Sequence, residues 1–127
     1  MQTVYLAGGM KSGWQDKVKQ LECFKFIDPR DKEEKRMYVP LQEYAQWDLH
    51  FIRKSDIVFV YIEATNPSCI GLAVEAGYAK GSGKTVILVI EPHNTVPDKY
   101  LQFVTQVADI HFISLQEGID YLNSFNI

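Results

Sequence analysis

The chain has 127 residues, enough for a hydrophobic core, and a single domain over residues 1–127 is expected. It is 46% hydrophobic and 23% charged, which excludes a disordered or fibrous class. Its net charge of -3, with no basic run, argues against a nucleic-acid partner. No apolar stretch approaches the ~18 residues of a membrane span, so no membrane partner is expected.

The N-terminus "MQTVYLAGG" runs directly into a strand pattern, with no signal-peptide features. Cys23 and Cys69 lie far apart and form no disulfide framework. Together these suggest a reducing, cytoplasmic setting. In chain order, "TVYLAG" (residues 3–8) reads as a first strand. Residues 14–24 place Trp14, Val18 and Leu21 at helical spacing. "KFIDP" (25–29) is a short strand stopped by proline, and "DPRDKEEKR" (28–36) reads as a solvated loop of mixed charge. Residues 41–55 form a helix with Leu41, Tyr44, Ala45, Leu49 and Ile52 on one stripe. "DIVFVYIE" (56–63) is apolar without alternation, as in a strand covered on both faces. A helix over 71–83, a strand over 84–91, a helix over 98–107, a strand over 109–114 and a helix over 115–125 complete the chain. Five strands alternating with helices imply a doubly wound α/β fold. The expected form is a flavodoxin-like three-layer sandwich with a parallel sheet in the order 2-1-3-4-5.

One segment invites a different reading. "KGSGKT" (80–85) superficially resembles a phosphate-binding loop. Such a loop follows a strand and opens a helix. Here the glycines follow a helix and Lys84 opens a strand, and the position required for the first glycine is Tyr78. The segment is therefore expected to be a helix C-cap and turn.

Ligands of open α/β sheets bind at the carboxyl ends of the strands, where strand order switches. Three loops should converge there: "AGGMKSGW" after the first strand, "DPR" after the second and "EATNPSCIG" after the third. They nominate Gly8, Gly9, Met10 and Trp14, then Asp28, then Gly71, as binding residues, with Trp47 arriving from the preceding helix. Two carboxylates point the same way. Glu75 lies in the second turn of its helix and leans toward the helix N-terminus, hence toward the crevice. Asp48 lies on the helix before it. A converging pair can divide the roles of nucleophile and acid or base. By spacing alone, Glu75 also reads as a helix-end carboxylate, Asp48 as a solvated one and Tyr5 as core. Cys69 reads as a small buried residue, and His50, His93 and His111 lack metal-ligand spacing.

"VYLAGGM", "YAQWDLHFIRKSDIVFVYIEATNPS" and "GLAVEAGYAKGSGKTVILV", in this order, resemble the nucleoside 2-deoxyribosyltransferase family. That family includes relatives that hydrolyse 2'-deoxynucleoside 5'-monophosphates, and a non-catalytic nucleotide-binding module on the same sandwich is the other alternative, since fold alone does not fix function. The resemblance implies a nucleophilic role for Glu75 in "VEAGYA", a sugar-contacting role for Asp48 in "QWDL", and an orienting role for Tyr5 in "VYLAG". It implies that Asn66 and Ser68 in "TNPS" contact ligand. Some members place an aspartate in that loop to move protons to and from the base, and this chain has none. The implied partners are a small deoxynucleoside, a free nucleobase and further copies of the chain in a homo-oligomer. No metal or organic cofactor is implied. The loop after the first strand offers Lys11 and Ser12 but no arginine, which favours a free nucleoside over its 5'-monophosphate.

Overall fold

The computed structural model describes residues 1–66, 69–92 and 96–126. Ser68 and His93 lie outside the described residues. The strands are β1 (Thr3–Gly8), β2 (Lys25–Ile27), β3 (Ile57–Ile62), β4 (Thr85–Ile90) and β5 (Ile110–Phe112). Among the described residues they form one five-stranded sheet in the order β2-β1-β3-β4-β5. Every pairing is parallel. The expected topology and strand order are both found.

The apolar run in β3 has the cause expected of it. All six of its residues are buried, because helices cover both faces of the sheet. The period-two alternation of β1 separates two cores. Tyr5 and Ala7 face one core, which receives Ile52 of α3 (Leu41–Lys54), Leu72 and Ala76 of α4 (Cys69–Gly81), and Leu101 and Val104 of α5 (Asp98–Val107). Val4 and Leu6 face the other, with Trp14 and Val18 of α1 (Trp14–Val18) and Ile119 and Leu122 of α6 (Leu115–Asn123).

Two local expectations are corrected. The helix expected over 14–24 stops at Val18. Backbone bonds from Gln20 to Lys17 and from Leu21 to Val18 turn the chain back, and the Lys25 N–H reaches the Gln2 carbonyl to start β2. The charge cluster is not a solvated loop. It forms a 3-10 turn (Pro29–Lys32) and then α2 (Glu33–Arg36). Asp28 caps the turn by accepting from the Arg30 backbone N–H at 3.0 Å, and it also accepts from the Arg30 guanidinium. Arg30 reaches on to Asp16 at 2.7 Å. Burial alone would raise the Asp28 carboxyl. The bonds from Arg30 and Lys19 outweigh burial and hold it below the usual carboxylate range.

The "KGSGKT" segment is a helix end. Gly83 has φ +79°, the Lys84 N–H donates to the Ala79 carbonyl at 3.0 Å, and the Gly83 N–H donates to the Lys80 carbonyl at 3.1 Å. This is the Schellman pattern, and it needs a left-handed residue at the glycine. Gly83→Ala should therefore lower stability by about 1 kcal/mol, while Lys84→Ala should leave it nearly unchanged. Denaturant unfolding of both variants checks this; equal losses would contradict the cap assignment.

Candidate active site

Along the carboxyl edge of the sheet lies a cleft of about 1220 Å³. Its walls come from the loops after β1 and β3, from α2 and α3, and from the first half of α4. Small-molecule pockets typically measure about 300–1,000 Å³, so a sugar and a base fit with space to spare. Of the residues nominated from sequence, Tyr5, Gly8, Gly9, Met10, Asp48, Asn66, Gly71 and Glu75 line the cleft.

Trp14, Asp28 and Trp47 do not line it. Trp14 is buried beneath the first loop and donates its indole N–H to the Gly9 carbonyl at 2.9 Å. Its ring stands so close to Gly8 that a Cβ there would meet ring carbon at 2.5 Å. Glycine at position 8 is thus required by this brace. Gln15 gives the Gly9 carbonyl a second bond, also 2.9 Å. Asp28 is held by Arg30 and Lys19. The Trp47 ring packs beneath the Lys32 ammonium at 5.5 Å. All three work behind the cleft wall, where packing or ion pairing with a neighbour takes them away from the opening.

The loops meet through side chains. Ser12 donates to Glu63 at 2.8 Å, joining the loop after β1 to the end of β3. A Cβ on Gly9 would stand 3.3 Å from the Asn66 amide nitrogen. The Ala64 N–H donates to Glu91 at 2.9 Å, which ties the loop after β3 to β4.

At the floor of the cleft, Tyr5 of β1 hydrogen-bonds Asp48 of α3. Asp48 is also gripped by Arg36 at the end of α2, Nη2 to Oδ1, at 2.5 Å. The Arg36 guanidinium lies 5.1 Å from the centre of the Tyr44 ring. The side chains of Arg36 and Asp48 are 18% and 13% exposed, so the pair is largely withdrawn from water. Sequence reasoning missed Arg36 because the cluster around it reads as solvated. The available signal was Asp48, a carboxylate on the face of α3 with no cation three or four residues away.

Glu75 completes the group. As a residue it is half-buried, but its Oε2 is buried and has no hydrogen-bond partner among the described residues. Burial first, and then the negative charge of Asp48, push its carboxyl up to about 8, with Arg36 acting in the opposite sense. Burial likewise raises Asp48 against the pull of Arg36. Burial, then Glu75 and Asp48, hold the Tyr5 phenol far above its usual range, so Tyr5 remains a neutral donor. The arrangement is a desolvated carboxyl group flanked by a donor, a second carboxylate and a cation. It can meet developing positive charge on a ligand or form a bond to it. Among the described residues, no group of three or more His, Cys, Asp or Glu side chains is arranged to hold a metal ion.

The sequence pattern of the family described as "Nucleoside 2-deoxyribosyltransferase like" matches residues 1–93. The chain belongs to this family. The matched span runs from β1 through β4 and includes Tyr5, Arg36, Asp48 and Glu75. No curated protein matches the chain by sequence. Among solved structures, a 2-deoxyribosyltransferase from Bacillus psychrosaccharolyticus is similar, with 21% identity and a TM-score of 0.66 over 94% of this chain and 91% of that one. A CMP N-glycosidase, BcmB, from Clostridium botulinum has 17% identity and a TM-score of 0.63 over 97% and 99%. A conserved protein from Enterococcus faecalis V583 has 20% identity and a TM-score of 0.58 over 96% and 87%. At these identities the likeness is one of fold. Among the described residues, no helix is long and apolar enough to cross a membrane.

The raised Glu75 carboxyl has a consequence for stability. In the folded chain it keeps its proton up to about 8, whereas its ordinary value is 4.5. Between those values the folded state binds more protons than the unfolded one. Stability therefore falls as pH rises from about 4.5 to about 8 and then levels off. Glu75→Gln should remove this fall and be more stable than the parent above pH ~8. Thermal melting of both proteins across that range tests it, and parallel curves would show that Glu75 ionises normally.

Proposed function

We propose that the protein cleaves the N-glycosidic bond of a 2'-deoxynucleoside and passes the 2-deoxyribosyl group to another nucleobase. The observation that carries this reading is the buried, unpartnered Glu75 oxygen at the floor of a cleft large enough for a nucleoside. Membership of the family supports it.

The chemistry proceeds in two displacements. A Glu75 carboxylate oxygen bonds to C1' of the sugar while the C1'–N bond breaks. The electron pair leaves on the base nitrogen, which takes up a proton. A second base then attacks C1' through its nitrogen, losing a proton, and the Glu75 carboxylate departs. Both transition states carry oxocarbenium-like positive charge, which a desolvated carboxylate stabilises far better than water does. Desolvation also makes the free carboxylate reactive by denying it solvent hydrogen bonds. Tyr5 and Asp48 keep the neighbourhood ordered. The 2' position faces the nucleophile, so an added hydroxyl must find both room and a partner there.

A second reading is hydrolysis of a 2'-deoxynucleoside 5'-monophosphate. Lys11 and Ser12 line the cleft, and Arg36 brings a guanidinium into it from α2 rather than from the loop after β1. Against this reading, the carboxylates Glu33, Asp48 and Glu63 line the same cleft, beside Lys11 and Arg36 as its cations among the described residues, and Arg36 is already paired with Asp48. A dianion entering there meets net repulsion, so the free nucleoside is the preferred substrate. The exposed apolar side chains Ile70 and Val74 on α4 and Tyr100 and Phe103 on α5 support a homo-oligomer.

Chromatography of deoxynucleosides with and without a free acceptor base decides between the readings. The expected result is a new nucleoside when acceptor is present and little free sugar. Sugar release that is indifferent to acceptor, together with a more than tenfold preference for monophosphates, would favour hydrolysis. Glu75→Gln should lose activity by orders of magnitude. Because the carboxylate is the reactive form, kcat/KM should decline as pH falls below about 8. A flat profile from pH ~6 to ~9 would contradict that assignment.

A further inference from the structure

Arg36 holds an unexplained group. Its Nη2 is committed to Asp48, yet its Nε is buried with no hydrogen-bond partner among the described residues. A buried N–H without an acceptor forfeits its hydration, and native structures rarely leave one so without reason. The second buried orphan in the same cleft is Glu75 Oε2. One is a donor and the other belongs to a carboxylate. We propose that Arg36 is a specificity-determining residue whose Nε–H is reserved for a hydroxyl of the substrate's sugar. This rests on the nucleoside reading given above.

Three features select a sugar hydroxyl. Arg36 sits at the Asp48–Glu75 end of the cleft, close enough to Glu75 to oppose the rise of its carboxyl. That end must hold the sugar if Glu75 is to reach C1'. An anionic ligand group there would face Asp48 and the nearby Glu33, with the Arg36 charge already balanced by Asp48. A hydroxyl is neutral, accepts from Nε–H and donates onward to a carboxylate oxygen in one step. Tyr44 beneath the guanidinium and Asp48 at its end fix the plane of the fork, so the free edge has a single direction. Substrate lacking that hydroxyl leaves the N–H buried and unpaired, which is the condition for strong discrimination.

The test compares one 2'-deoxynucleoside with its 3'-deoxy and 5'-deoxy forms and its 5'-monophosphate, on the parent, Arg36→Lys and Arg36→Gln. Arg36→Lys keeps a cation for Asp48 but has no Nε. In the parent, loss of one of the two hydroxyls should lower kcat/KM by about tenfold or more. In Arg36→Lys that penalty should shrink to within about threefold while the penalty for the other hydroxyl persists. Arg36→Gln is the second variant should Arg36→Lys melt early, and the same selective loss is expected. Both penalties surviving intact would overturn the proposal, as would a change confined to the monophosphate. Calorimetric binding to the Glu75→Gln background provides a readout that does not require turnover. If the parent turns over no nucleoside but the binding penalty for one hydroxyl vanishes with Arg36→Lys, the transfer reading falls and the Arg36 assignment stands. If no nucleoside binds at all, both fall.

Discussion

A carboxylate deprived of water governs this cleft. Glu75 is placed where solvent does not reach its Oε2 and where the charge acting on it most strongly is another carboxylate, Asp48. Keeping it there costs stability above its ordinary pKa, and the surrounding structure is organised to bear that cost. The sheet supplies rigidity through β3, buried at every position. Tyr5 on β1 supplies a donor to Asp48, and Arg36 supplies the balancing cation. An isolated pair of acids here would resist joint ionisation. The cation between the walls of the cleft lets one remain charged while the other is tuned upward.

The supports of the cleft come from parts of the chain with different logic. The loop after β1 is fixed from below, by the Trp14 indole and the Gln15 amide sharing the Gly9 carbonyl. The loop after β3 is fixed from the side, by Glu91 and by the Ser12–Glu63 bond. The Arg36 wall depends on the Asp28 cap of the preceding 3-10 turn, since that turn leads directly into α2. Two ion-pair groups are thus neighbours in sequence but have different partners. Arg30 secures the turn through Asp16 and Asp28, and Arg36, six residues on, lines the cleft beside Asp48.

Much of this was visible in the amino-acid sequence, for physical reasons. Strands covered on both faces show as unbroken apolar runs, and β3 and β4 stand out on that basis. The glycine-rich segment before β4 could be assigned because a phosphate loop and a helix cap place their glycines on opposite sides of a strand. Glu75 and Asp48 could be nominated because helix direction and strand ends are implied by the alternation itself. The charge cluster resisted reading. Asp28 is buried by its partners Lys19 and Arg30, and Arg36 is drawn in by Asp48 of α3, and no local periodicity encodes either pairing. Trp14 and Trp47 misled for the opposite reason. An aromatic beside a crevice satisfies the pattern of a ligand contact equally well when it braces the wall from behind. The early end of α1 reflects the short path to β2, a constraint of topology rather than of propensity.

The central claim is that Glu75 bonds covalently to the sugar. Incubating the protein with a 2'-deoxynucleoside in the absence of acceptor base, quenching in acid and measuring intact mass followed by peptide mapping addresses it directly. The account predicts a 2-deoxyribosyl adduct on the peptide containing Glu75, lost on adding acceptor base and absent from Glu75→Gln. Turnover with no adduct at any quench time, or an adduct that persists in Glu75→Gln, would contradict it.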